Sequence, residues 1–258
     1  VSSEAPVANL INPRSGLNKS AETVKLFTSI KFQGVKILIE AVIFDIDGTL
    51  IDSNDYHALA WVKAFEHYGK KVKFYEARRQ VGKGGDQYLP EFLTQKEIRE
   101  FGTELEKRRG EIFKRNYLRK IEPFPHVREL FEKIRSEGKG IALASSAKAD
   151  ELEKYKKIAR VEDLIEEEIS SDDAEKSKPY PDIFQAALEK LGKLNKKNVV
   201  VVGDTAYDAE AAGKIGLKTI GVLTGGWTKS ELMSAGCWEV YADVAKILEN
   251  YRKSIIGK

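Results

Sequence analysis

The chain has 258 residues, with 43 Lys and Arg against 40 Asp and Glu and a formal net charge of +3. So even a balance supplies no basic field for nucleic acid, and 42% hydrophobic with 32% charged residues excludes a disordered chain. No apolar run approaches the roughly 20 residues that span a bilayer, and the single cysteine, Cys237, excludes an intrachain disulfide, which fits a reducing, cytoplasmic setting.

Val1–Ser20 is polar, carries Pro6, Pro13 and Gly16, and lacks the charged-then-apolar order of a secretory signal. Residues 1–40 read as an arm, with Val24 and Phe27 suggesting a short helix over Ala21–Ile30. Ile39–Phe44 is a β-rich run that ends in Asp45-Ile46-Asp47-Gly48-Thr49. From about Ser53 to Ile121 the pattern is helical: Leu59, Val62 and Phe65 recur at helical spacing over Tyr56–Tyr68, and Lys96–Tyr117 is long and charged. Acids and bases interleave along Glu104–Arg115, as on a solvated helix face. Gln80–Asp86 interrupts this block with a glycine-rich turn.

Pro123 and Pro125 mark a boundary beyond which the rhythm alternates. Helices are expected over Val127–Ser136, Ala149–Ile158, Asp182–Leu191 and Ala206–Ile215, and strands over Gly140–Ala144, Val199–Val202 and Lys218–Leu223. Strands alternating with helices of this length predict an α/β fold: a Rossmann-like parallel sheet with helices on both faces. The expected division is a core of residues 41–53 and 123–258, with an all-helical domain of residues 54–122 inserted after the first strand.

In open parallel sheets, ligands bind beyond the carboxyl ends of the strands, and four such places carry chemistry. Asp45 and Asp47 follow the first strand; two desolvated carboxylates so close need a cation or a shared proton. One of them suits a nucleophile and the other a general acid and base, against the plainer reading of an Asx-rich turn. Ser145 and Ser146 follow Gly140–Ala144, where hydroxyls and amides suit phosphate oxygens and one serine suits a helix cap. Lys178, between Ser177 and Pro179, can neutralise a transferring phosphoryl group, while Asp182 reads as a helix cap. Asp204 follows Val199–Gly203 and Asp208 comes one helical turn later; such hard oxygen donors suit magnesium. The plainer reading of Asp208 is a surface residue favoured by the helix dipole.

Taken in order, Asp45-Ile46-Asp47-Gly48-Thr49, Ser145, Lys178 before Pro179, and Gly203-Asp204 with Asp208 resemble the haloacid dehalogenase superfamily, and in particular its phosphoglycolate phosphatase and β-phosphoglucomutase-like members with a helical cap. The resemblance covers roughly Ala41 to Tyr251. It implies a phosphatase acting on a small phosphorylated metabolite, as monomer or homodimer and without nucleic-acid or membrane partners. By it, Asp45 forms an aspartyl-phosphate and Asp47 moves the protons. Mg2+ is held by Asp45, Asp204, the Asp47 carbonyl oxygen and, farther out, Asp208. Ser145 and Lys178 hold phosphoryl oxygens, and Gly48, Thr49, Ser146, His57 and Lys83 lie near the substrate. Residues 54–122 become a mobile cap hinged near Asp52–Asn54 and Glu122–His126.

A sugar-phosphate mutase of the β-phosphoglucomutase type is the alternative, since His57 and Trp61 match that group. Its cap turn, however, has a basic residue for the distal phosphate where this chain has glycines. Carbon–halogen hydrolysis is disfavoured by Asp47, and a non-catalytic phosphate-binding role by the presence of all three acids, Asp45, Asp47 and Asp204.

Overall fold

The computed structural model describes residues 38–258; the helix expected over Ala21–Ile30 lies outside them. Six strands form one parallel sheet in the order β3-β2-β1-β4-β5-β6. In chain order the elements are β1 (Ala41–Phe44), α1 (Asn54–His67), α2 (Phe74–Gln80), α3 (Thr103–Asn116), α4 (Val127–Ser136), β2 (Gly140–Ala144), α5 (Ala149–Ala159) and β3 (Glu167–Ile169). There follow α6 (Asp182–Lys190), β4 (Val199–Gly203), α7 (Ala206–Lys214), β5 (Lys218–Val222), α8 (Lys229–Ser234), β6 (Cys237–Tyr241) and α9 (Val244–Glu249). Short helical turns fill the gap between α2 and α3, including a π turn at Ile98–Gly102 that makes the long charged run expected from Lys96 irregular at its start.

β1 sits at the centre, with Ala41 opposite Gly140 of β2 on one side and Val199 of β4 on the other. Its alternate residues serve two cores, as a strand period of two requires. Val42 and Phe44 face α4 and α9 through Phe131, Ile134 and Ile247, and this cluster runs on into the helical segment at Trp61, Phe65 and Phe113. Ala41 and Ile43 face α6 and α7 through Phe184, Ala187 and Ala211. Every β1 side chain is fully buried, so at about 25 cal/mol per Å2 of apolar surface the centre of the sheet is well anchored. That rigidity fixes the residues at its carboxyl tip.

The helical segment leaves and rejoins the core along neighbouring backbone. Asp52 N–H donates to Glu122 O at 2.9 Å and Phe124 N–H to Leu50 O at 2.9 Å. The strand order changes direction about β1, with β2 and β4 on opposite sides, so the loops after these strands diverge and open a crevice.

Candidate active site

All four strand-tip motifs meet in that crevice. Asp45 continues β1, and its N–H donates to Val202 O of β4 at 2.9 Å. Its Oδ1 accepts from Lys178 Nζ at 2.5 Å, and Lys178 Nζ lies 2.7 Å from Asp208 Oδ1. Asp45, Asp204 and Asp208 are all buried, and each offers an oxygen within 4.8 Å of the others. Asp208 is therefore not the exposed first-turn residue of the plainer reading. Its Oδ2 caps α7 by accepting from Thr205 N at 3.0 Å and Thr205 Oγ1 at 2.6 Å, which leaves Oδ1 facing the lysine.

Three buried carboxylates against one ammonium leave uncompensated negative charge. Burial is the main cause that pushes the Asp45 carboxyl up to about 7, with Lys178 opposing and Asp208 adding to the rise. Burial, and then Asp45 itself, raise Asp204 well above the usual carboxylate range. Burial alone would lower the Lys178 pKa, but Asp208 and Asp45 hold it above its ordinary value, so it stays charged. A divalent cation with hard oxygen preference relieves such a cluster, and the donor set fits one.

Around this centre the backbone leaves no slack. Gly48 has φ +81, and a Cβ there would collide with Asn54 Nδ2 and Asp204 Oδ2, so only glycine fits. Asn54 Nδ2 donates to Asp204 Oδ2 at 2.7 Å. Thr49 Oγ1 lies 3.1 Å from Asp45 Oδ2 and 3.3 Å from Asp204 Oδ1, so its hydroxyl braces the carboxylates.

Asp47 points elsewhere. Its carboxylate is outside the three-acid cluster, with Oδ1 accepting from Ser53 Oγ at 2.5 Å and lying 2.9 Å from His57 Nε2. Burial would raise its pKa, but His57, the Ser53 hydroxyl and Arg109 more than offset that, and the net shift is downward. His57 stacks on Phe113 at 3.9 Å between ring centroids, and Tyr155 OH lies 3.3 Å from its Nε2. The imidazole is thus fixed by its neighbours beside Asp47.

Of the remaining expected residues, Ser145 is buried at the tip of β2 and its Oγ accepts from Ala147 N at 3.1 Å, which leaves the hydroxyl hydrogen free to donate. Ser146 lines the cleft, yet its Oγ donates to Gly82 O at 3.1 Å. Lys83 also lines the cleft, but its Nζ donates to Gln80 Oε1 at 2.6 Å and Glu91 Oε1 at 2.8 Å, so it is not aimed at the carboxylates. Asp182 opens α6 without capping it; Pro181 precedes it and its carboxylate accepts from Lys176 N at 2.9 Å.

Sequence reasoning passed over Ser53, Asn54, Glu106, Arg109 and Tyr155. Only Asn54, at the start of a helical pattern just past the first motif, gave any signal. The rest reach the site by tertiary packing. Asp45 and Asp47 share one solvent-open cleft with His57, Trp61, Arg109 and Ser146.

Comparison with known proteins agrees with this geometry. The family model described as Haloacid dehalogenase-like hydrolase matches residues 42–222. A phosphorylated carbohydrates phosphatase of Thermotoga maritima is 32% identical over 183 residues, covering 70% of this chain and 84% of that protein. A phosphoglycolate phosphatase of Aquifex aeolicus is 26% identical over 217 residues, covering 83% and 98%. Among solved structures, a hydrolase from Pseudomonas syringae superposes with a TM-score of 0.75 at 28% identity, covering 83% of this chain and 98% of that one.

Proposed function

The chain belongs to the haloacid dehalogenase-like hydrolase family, and from that premise we propose that it is a magnesium-dependent phosphatase of a small phosphorylated metabolite, with Asp45 as nucleophile. The observation that carries this reading is the buried convergence of Asp45, Asp204 and Asp208, two of them paired with Lys178, with Asp45 lining a solvent-open cleft.

Asp45, Asp204 and the Asp47 carbonyl oxygen would hold Mg2+, with Asp208 supporting the group. When bound, the ion supplies positive charge that lets an anionic carboxylate approach an anionic ester. Lys178 pairs with Asp45 Oδ1, orienting the other oxygen and neutralising charge as the phosphoryl group arrives. Asp45 attacks phosphorus, the ester P–O bond breaks, and the leaving oxygen takes a proton from the Asp47–His57 pair. Water then attacks the aspartyl-phosphate, Asp47 accepts its proton, and inorganic phosphate leaves. The Ser145 hydroxyl, whose oxygen is held by the Ala147 amide, donates to a phosphoryl oxygen.

Residues 54–122 act as a cap. They touch the core around the site through Gly84 N–H to Ser177 Oγ at 2.9 Å and Tyr207 OH to Arg79 O at 3.1 Å. The paired backbone of Asp52 and Glu122 supplies two adjacent hinge strands for opening. The mutase alternative has less support, because Lys83, the basic residue of the turn over the cleft, is engaged by Glu91. Among the described residues no helix is long and apolar enough to cross a membrane.

The test is hydrolysis of 4-nitrophenyl phosphate with magnesium, its arrest by chelation, and mass-spectrometric detection of a phosphoryl group on Asp45 after rapid acid quench. Turnover that survives chelation, or a phosphoryl group on another residue, rejects the reading.

A further inference from the structure

Beyond the reacting carboxylates, the cleft carries four charged side chains: Lys83, Glu106, Arg109 and Glu151. Two are already compensated. Lys83 pairs with Glu91 at 2.8 Å, and the buried Glu151 lies 3.6 Å from Lys114. Glu106 and Arg109, one turn apart on α3, remain. Arg109 places its guanidinium carbon 5.1 Å from the Trp61 ring centroid, and its Nε is buried without a hydrogen-bond partner. Among the described residues, no carboxylate lies within ion-pair distance of Arg109 and no cation within ion-pair distance of Glu106. A buried donor left open in this way is costly unless a ligand completes it.

The turn over the cleft explains where Glu106 sits. A Cβ at Gly85 would collide with the Glu106 carboxylate, and one at Gly84 with Ser177. The space that a basic side chain from this turn would need is therefore filled by an acid. An anionic group on the distal end of a substrate would meet Glu106 directly, with Glu151 behind it in the same cleft, and like charges so placed are disfavoured. A hydroxyl-bearing group instead donates to Glu106 and accepts from Arg109, using both polar partners at once. Lys148 does not line the catalytic cleft, although it lines two adjoining cavities that share Glu106 and Arg109.

We infer that Glu106 is a specificity-determining residue, and that together with Arg109 it makes the cleft select phosphate monoesters whose leaving group is an uncharged polyol or sugar, rejecting those with a second anion. This rests on the phosphatase reading above and narrows its substrate class.

The experiment compares kcat/KM for matched esters differing in one charge: glycerol 3-phosphate against 3-phosphoglycerate, and glucose 6-phosphate against 6-phosphogluconate. The wild type is expected to favour the uncharged member of each pair by at least about tenfold, the equivalent of one modest like-charge contact. Glu106→Gln is expected to shrink that ratio to within about threefold, with Glu106→Lys reversing it. A structural role for Glu106 alone would lower both members equally and leave the ratio unmoved. 4-Nitrophenyl phosphate separates the two claims. If it is hydrolysed with magnesium while the wild type turns over the acidic esters as well as the neutral ones, the selectivity inference is overturned and the phosphatase reading stands. If it is not hydrolysed, both fall.

Discussion

The floor of the cleft and its roof are built on opposite terms. The floor is the carboxyl edge of a buried parallel sheet, where Asp45, Lys178, Asp204 and Asp208 are each 5% exposed or less and contact one another at 2.5–3.3 Å with Thr49. The roof is a glycine-rich turn and long side chains, touching the core through half-exposed contacts such as Arg79 against Trp227 and Glu231. Removing a buried partner strands a charge in a low dielectric, whereas removing an exposed one lets water take its place. On the function proposed above, chemistry would reside where substitution is intolerable, and choice of substrate where it is cheap.

The sharpest way to break this comparison is Asp45→Asn. Turnover of an aryl phosphate should fall by about 10^4-fold or more, as expected for loss of a nucleophile, with the circular dichroism spectrum unchanged. Lys178→Ala should cost about 3 kcal/mol in urea unfolding without magnesium, because Asp45 and Asp208 are left buried and unpaired. Asn54→Ala removes the brace on Asp204 Oδ2 and should weaken magnesium binding by about tenfold in calorimetry. The pH response follows from the raised carboxyls. Asp45 moves from 3.8 to about 7, so the folded state holds more protons than the unfolded one in that window. Stability without magnesium should then decline as pH rises from about 5 to 7.5. Magnesium should raise the melting temperature more at the upper end, and Asp45→Asn should flatten the decline. The smallest effect belongs to the roof: Arg79→Ala should alter kcat/KM by no more than about fivefold, the reach of an exposed pair near 1 kcal/mol.

Much of the floor was legible because its residues sit immediately after apolar strands, and a strand ending in Asp or Ser is a local signal. β3 and β6 were not foreseen. Glu167–Ile169 is short and only partly buried, and Cys237–Tyr241 lies at the sheet edge with Trp238 exposed, so neither shows a buried apolar run. The surroundings of Asp47 were only partly legible, for another reason. His57 was expected near the substrate, but Ser53, just before α1, and Tyr155 on α5, nearly a hundred residues after His57, reach Asp47 and His57 respectively only by packing. Lys83 and Thr49 show the opposite lesson. Each has the right chemistry near the right place, yet each is engaged by its neighbours.

The central position of β1 has a consequence for how the protein is born. Asp45 leaves the ribosome early, but its companion Asp204 follows β4, which comes after the whole helical segment and two further strands and must then insert beside β1. Synthesis proceeds from the amino end, and such distant pairings form late. A nascent chain that has not yet reached β4 thus lacks Asp204 and Asp208, and on the function proposed above its capacity to bind magnesium would report that β4 has taken its place beside β1.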